Sequence, residues 1–265
     1  MQPLDTFPAT ERSRIKGVFA DIDDTITSGG RLTADAYQAM ERLREGGLMV
    51  FPITGRPAGW CDHIARMWPV DGVVGENGAF FFRYDLEQRA FAKRYVLGDS
   101  ERAANRKVFA SLAEDILAEV PGAAVVSDQP YREADLAIDF REDVEPLSDA
   151  EIDKIVAMME ARGMTAKISS IHVNGWFGDY DKLSTTKLMM EEVFRLDLDA
   201  EKESFVFVGD SPNDQPMFDF FPNSIGVANL KTLEHRLTLK PAYITTGSAG
   251  AGFAEVAAAL LAARD

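Results

Sequence analysis

The chain of 265 residues carries 28 lysines and arginines against 43 aspartates and glutamates, a formal net charge of −15, and 46% of its residues are hydrophobic. That balance allows a sizeable core and excludes a polyanion-binding surface, since nucleic acid and anionic lipid would be repelled. Any site for a phosphate ester must be made positive locally, by a metal and a few cations, which screening beyond roughly 8 Å permits. The single cysteine, Cys61, rules out an intrachain disulfide. No run approaches the ~18 apolar residues of a membrane span, and residues 1–17 carry charge and proline without an apolar h-region. The expectation is a soluble, cytoplasmic protein with no nucleic-acid or membrane partner, as a monomer or weak homodimer.

No repeat or low-complexity tract interrupts the chain. Ile15 to Ile22 is a short apolar run broken by Lys16 and ended by a cluster of aspartates, which reads as a buried strand. Thr33 offers an N-cap to a helix with Ala36, Tyr37, Met40 and Leu43 at helical spacing, closed by Gly46-Gly47. Leu48 to Thr54 reads as a second strand. Pro57 opens a second helix with Trp60, Ile64 and Met67 on one face. Gly72 to Phe82 follows as strand, with a turn at Glu76-Asn77-Gly78 and core aromatics at Phe80, Phe81 and Phe82. This alternation is the pattern of a parallel, doubly wound sheet.

The middle of the chain changes character. Strands are expected at 91–97, 123–127, 135–140 and within 164–177, and helices at 100–120 and 147–162. Alternation then resumes, with a helix at 184–196, strands at 205–208, 224–227 and 242–245, and helices within 211–220 and over 252–263. The expected architecture is an α/β core with a doubly wound parallel sheet, residues 1–83 and 179–265, split by an inserted α+β cap at 84–178.

Three strand ends carry the polar residues that chemistry needs. The first ends in Asp21-Ile22-Asp23-Asp24-Thr25. Carboxylates crowded at the carboxyl end of a parallel strand are costly unless a cation compensates them, and ligands of open α/β sheets bind at those ends. A calcium loop of the EF-hand type is excluded, because the sixth position from Asp21 is Ile26 and the twelfth is Leu32. The second such end is Gly209-Asp210-Ser211-Pro212-Asn213-Asp214, and the third is Ile53-Thr54-Gly55-Arg56. Each alone reads equally well as a solvated or capped turn; three together do not.

In these motifs the chain resembles the haloacid dehalogenase superfamily of phosphohydrolases. Asp21 and Asp23 match its D-x-D-x-T motif, Thr54 the second motif, Lys182 the third, and Gly209-Asp210 with Asn213-Asp214 the fourth. The insertion lies between the second and third motifs, preceded by Asn77-Gly78-Ala79. That placement resembles the Cof-type branch with sucrose-phosphate phosphatase, mannosyl-phosphoglycerate phosphatase and phosphomannomutase. Asp24 departs from the pattern, which usually has Gly there. The resemblance implies a Mg²⁺-dependent phosphatase of a small phosphorylated metabolite, a sugar phosphate first among them. Asp21 would be the nucleophile and Asp23 the acid and base. Thr54, Gly55, Arg56, Lys182 and Asn213 would contact the substrate. Asp21, the backbone carbonyl of Asp23, Asp210 and Asp214 would surround the metal. A phosphohexomutase of the same fold and a non-enzymatic phosphosugar-binding regulator are the alternatives. Intact Asp21, Asp23, Thr54 and Asp210 argue against the regulator, because binding needs no nucleophile.

Other signals weigh toward packing. Cys61 lies beside an apolar stripe and reads as core. His63, His172 and His235 lack metal-ligand spacing. The glycines of 247–252 run in the wrong order for a dinucleotide fingerprint. Asn174 and Trp176 are weighed between substrate contact and packing, and Arg132 and Arg141 between cap contacts for an acidic group and solvated side chains. For Lys182 and Lys187 the frame chosen is Ser184 as N-cap, with Leu183 stapled on Leu188 and Lys187 paired with Glu191. Lys182 then lies just outside the helix.

Overall fold

The computed structural model describes residues 1–264. A six-stranded parallel sheet forms its centre, in the order Gln2–Pro3, Tyr243–Ile244, Ser224–Gly226, Phe205–Gly209, Gly17–Ala20 and Met49–Pro52. The strands are short and alternate sharply in what they face. Val18, Ala20, Val50, Val206 and Val208 pack on one side, under the helices Ala34–Glu45 and Ala249–Leu261. Phe19, Phe51, Phe205 and Phe207 pack on the other, under the helix Lys182–Phe194. Phe19 stacks on Phe51 with ring centroids 5.1 Å apart and meets Phe205 at 5.3 Å, so an aromatic row crosses the sheet. Period-two alternation in strands this buried means both faces are covered, which is why they read as apolar runs.

Register decides where the site falls. Ala20 is level with Val208 on one neighbour and with Pro52 on the other. The next residues along these strands are therefore brought together at one edge: Asp21, Gly209-Asp210 and Ile53-Thr54. A single bridge from Ile53 to Val74 extends the layer to Val73–Gly75, which continues as an antiparallel sheet with Phe80–Asp85 and Ala90–Tyr95.

A second unit has its own antiparallel sheet, in the order Thr165–Ile168, His172–Trp176, Asp135–Asp139 and Ala124–Val125. The helices Asp99–Glu119 and Asp149–Glu160 cover one face, meeting Leu136, Ile138 and Val173 with Phe109, Leu112, Ile116, Ile152 and Ile155. The opposite face presents Asp135, Asp139, His172 and Asn174, all buried. The range expected for the insert, 84–178, thus divides between two sheets: residues 90–95 pair with Phe80–Asp85, and the second sheet begins at Ala124.

Three local expectations change. In the helix Ala58–Met67 the inner face is Ala58, Cys61, Ile64 and Ala65, while Trp60 and Met67 are 40% and 63% exposed. The Trp60 ring instead receives the guanidinium of Arg56 at 4.4 Å. The helix Lys182–Phe194 starts two residues before the expected cap. Asp181 is its N-cap and accepts from the Ser184 backbone N–H at 2.7 Å, so Ser184 is the third helical residue and Lys182 the first. A carboxylate at this position satisfies the orphan amides and also meets the helix dipole, an advantage a serine hydroxyl lacks. Lys187 pairs with Asp199 at 2.7 Å, across the turn to the next helix, in place of Glu191.

Candidate active site

The carboxyl edge of the sheet gathers three buried aspartates. One oxygen each from Asp21, Asp210 and Asp214 lies within 4.8 Å of the others. Lys182, fully buried, donates to Asp21 at 2.6 Å and to Asp214 at 2.7 Å. The lysine opposes the dipole of its own helix, and these two carboxylates are what hold it there. Burial works to lower its pKa, but Asp21 and Asp214 outweigh burial and raise it. The aspartates respond in the reverse sense. Burial pushes Asp21 up to about 8, opposed by Lys182 and reinforced by Asp214 and Asp23. Asp210 is pushed well above the usual carboxylate range by burial and by Asp21 and Asp214. One ammonium does not balance three buried carboxylates. Hard oxygen donors around such a deficit fit a small divalent cation, with Asp21 and Asp210 the freest to ligate.

Asp214 is more committed. Its Oδ1 takes Lys182, and its Oδ2 accepts from the backbone N–H groups of Asp210 at 3.1 Å and Ser211 at 3.3 Å. Gly209 is required beside it, since a Cβ there would lie 2.4 Å from Asp214 Oδ2. Asp210 is held by Thr25 Oγ1 at 3.4 Å and by Asn229 Nδ2 at 3.2 Å. Asn229 also donates to the Asp24 carbonyl at 2.9 Å and accepts from the Ala249 N–H. Sequence reasoning missed Asn229. The signal was a fourth strand end, Ser224–Gly226, which runs into a polar residue at the same edge.

The side chain of Asp23 turns away from that cluster. Both of its oxygens accept from Arg56, at 2.8 to 3.0 Å. Arg56 is 3% exposed and reaches on to the second unit, donating to Glu142 at 2.5 and 3.2 Å and to Asp128 at 3.4 Å. The loop carrying Glu142 is built by Asp139, whose carboxylate accepts from the backbone N–H groups of Arg141, Glu142 and Asp143. Although burial opposes it, hydrogen bonds from His172 and Arg56 hold Glu142 down at about 2. Thr54 is buried, and its hydroxyl accepts from the Arg56 backbone N–H at 3.0 Å. The Gly55 carbonyl accepts from Arg132 of the second unit at 2.8 Å. Asn213 lies between Ser211 and Asn77 and bonds both.

The structure therefore brings Asp21, Asp210, Asp214 and Lys182 into one cluster. Asp23, Thr54, Gly55 and Arg56 form a second group, which borders the other unit. Between the units runs a cleft of about 340 Å³ lined by Asp23, Asp24, Arg56, Arg141, Glu142 and Ile171. Asp24 sits at φ +55°, a left-handed conformation that aspartate tolerates and that suits the usual glycine. Burial raises its pKa, against a hydrogen bond from Ser170. Arg132 is engaged through Nε and Nη1 with Asp128, Asp135 and the Gly55 carbonyl, while its Nη2 is buried with no partner among the described residues. Asn174 donates to Asp135 and the Trp176 indole to the Tyr180 carbonyl, so both serve packing. His172 Nε2 lies 2.8 Å from Glu142.

Residues 18–116 match the model of the haloacid dehalogenase-like hydrolase family. No curated protein matches the chain in sequence. A HAD/COF-like hydrolase from Plasmodium vivax is 15% identical, with a TM-score of 0.68 over 96% of this chain and 99% of that one. The sucrose-phosphatase of Synechocystis sp. PCC6803, solved with sucrose and phosphate, is 15% identical, with a TM-score of 0.61 over 93% and 98%. The C-terminal domain of the C. albicans trehalose-6-phosphate phosphatase is 11% identical, with a TM-score of 0.66 over 96% and 95%. The resemblance read from the motifs is borne out: the chain has the haloacid dehalogenase-like hydrolase fold, and residues 18–116 carry that family's sequence pattern.

Proposed function

We propose that this protein is a Mg²⁺-dependent phosphatase that hydrolyses a small phosphorylated metabolite, a sugar phosphate, through an aspartyl-phosphate intermediate. The observation that carries the reading is Lys182 placed between Asp21 and Asp214 beside Asp210, at the carboxyl edge of a parallel sheet. Such an excess of buried carboxylates is expensive without a cation to share it, and a cation held there can in turn bind a phosphate ester.

Asp21 attacks the phosphorus, and the bond to the leaving oxygen breaks as an acyl phosphate forms on Asp21; water then attacks that phosphorus, the bond to Asp21 breaks and inorganic phosphate leaves. Asp23 gives the leaving alkoxide a proton and later takes one from the attacking water, with Arg56 setting its orientation. Lys182, Thr54 and the Gly55 backbone stabilise the transferring phosphoryl oxygens. Asp21 and Asp210, with the Asp23 carbonyl, would hold Mg²⁺, whose charge offsets the repulsion between carboxylate and phosphate. Asp214 holds Lys182 and the backbone of the Asp210 loop.

The unit read from the sequence as 84–178 is proposed as the lid and the specificity element. Support comes from its hydrogen bonds to the catalytic loops, Arg56 with Glu142 and Arg132 with Gly55. Closure over the cleft would exclude water, and the cleft has room for a hexose-sized leaving group. Structural likeness to a sucrose-phosphatase and a trehalose-6-phosphate phosphatase makes sugar phosphates the first class to try. The test is a screen of phosphorylated metabolites for released phosphate with Mg²⁺ and no added bisphosphate. Turnover of at least one sugar phosphate, lost in Asp21→Asn, is expected. Turnover that needs a bisphosphate would mean a mutase, and phosphosugar binding without turnover would mean a regulator.

A further inference from the structure

The turn Glu76–Gly78 touches three of the four motif segments. The Asn77 backbone N–H donates to the Thr54 carbonyl at 3.0 Å. Asn213 Nδ2 donates to Asn77 Oδ1 at 3.2 Å. The Thr185 hydroxyl, on the helix that begins with Lys182, donates to the Gly78 carbonyl. Gly78, at φ +111°, lies so close to the Asp181 carbonyl that a Cβ would overlap it. The turn is thus wedged among the loops of Thr54, Asn213 and Lys182.

Asn77 is held there in a left-handed conformation, φ +54°, and is 2% exposed. Its amide is oriented by a relay. The Ser211 hydroxyl donates to Asn213 Oδ1 at 2.7 Å, Asn213 Nδ2 donates to Asn77 Oδ1, and Asn77 Nδ2 is left as the terminal donor. That nitrogen is buried without a hydrogen-bond partner among the described residues. It faces Gly55, where a Cβ would lie 3.1 Å away, so Gly55 keeps the approach open. A buried amide donor is rarely left unpaired, and one aimed at a loop expected to receive a dianion has an evident acceptor.

Building on the proposed phosphatase reading, we infer that Asn77 contacts the substrate's phosphoryl group, Nδ2 donating to an oxygen held over Thr54 and Gly55. Asn77 then links the second and fourth motifs, and correct placement of Asn213 becomes a condition for binding the anion.

Two variants separate this role from a structural one. Asn77→Gly keeps the backbone at ease at positive φ and deletes the amide. Asn77→Asp keeps the acceptor for Asn213, tolerates positive φ and replaces the donor with an oxygen. Inorganic phosphate binding with Mg²⁺ is measured by calorimetry, alongside thermal unfolding and turnover of the sugar phosphate found in the screen. The expectation for Asn77→Gly is phosphate binding weakened about tenfold or more, the scale of one charge-assisted hydrogen bond, with thermal unfolding little changed. Asn77→Asp should lose at least as much, because its oxygen meets the phosphate with like charge. A structural role predicts the opposite order, with Asn77→Asp near wild type and Asn77→Gly impaired. Phosphate binding within about threefold of wild type in either folded variant would overturn the inference. If the wild type hydrolyses nothing but binds phosphate through Asn77, the phosphatase reading falls and the contact stands. If the wild type hydrolyses a sugar phosphate but binds no inorganic phosphate, and Asn77→Gly turns over as fast as wild type, the contact falls and the phosphatase reading stands.

Discussion

Arg56 and Glu142, 86 positions apart in sequence, form a short ion pair at 2.5 Å between the two sheet-bearing units. The same guanidinium grips both oxygens of Asp23. The contact between the two units and the orientation of the proposed acid and base are therefore tied through one side chain. A planar fork with five donors can grip both oxygens of Asp23 and still reach Glu142 and Asp128, whereas an ammonium has three donors and no fork.

Arg56→Lys should keep the charge and lose the two-pronged grip. The expected outcome is a fall in kcat of about 10-fold to 100-fold, the scale of a misoriented catalytic group, with little loss of stability. Glu142→Gln leaves Asp23 held and should act mainly on KM. Steady-state kinetics on both variants checks the split, and a pure KM effect in Arg56→Lys would contradict it.

Lys182→Ala should lower kcat on the order of 10²-fold or more, because it removes a proposed donor to the transition state and leaves Asp21 and Asp214 facing each other. Lys187→Ala should change kcat little, since Lys187 pairs with exposed Asp199 and lies over the Phe220 ring, touching none of the site carboxylates. The reverse ranking, measured on folded proteins, would move the third motif five residues along the chain.

Asp21, raised to about 8, binds its proton in the folded protein at pH values where the unfolded chain has released it. Glu76 is also raised to about 8, chiefly by burial and by Asp135 against Arg132. For a raised carboxylate, the folded state holds more protons than the unfolded state between the two pKa values. Stability of the metal-free protein should therefore fall as pH rises from about 5 to 8. Glu142, lowered to about 2, contributes stability that is already complete above pH ~5 and does not reverse this slope. On the proposed function Mg²⁺ would bind the ionised cluster, so the gain in Tm on adding it should grow over the same window. Scanning calorimetry with and without EDTA tests both signs.

Glu76 is fully buried and accepts from the backbone N–H groups of Ala58 in the core and of Glu133 and Ala134 in the second unit. Glu76→Ala leaves those three donors without their partner. It should cost about 2–5 kcal/mol in urea unfolding, a range reduced by the relief of burying a carboxyl. A loss below about 0.5 kcal/mol would show that water replaces the carboxylate freely.

Much of the design could be read along the chain, because it is written in local patterns. Apolar runs that stop at Asp21, Thr54 and Asp210 mark strands and their ends, and a parallel sheet puts those ends on one edge. The Thr33 cap, which accepts from the Ala36 N–H, and the burial of Cys61 and Phe80–Phe82 follow from composition and period alone. Positions fixed by partners far away in sequence could not be read. Asp181 displaced Ser184 as helix cap because the loop returning from the second unit delivers a carboxylate there. Trp60 faces outward because Arg56, drawn across by Asp23 and Glu142, supplies a cationic cover for its ring. Asn229 and Asn77 acquire their places only when strand ends and turns meet across the sheet edge. Periodicity reports which face of an element is buried, whereas a hydrogen bond between residues 86 or 161 positions apart depends on register and packing that only the folded chain settles.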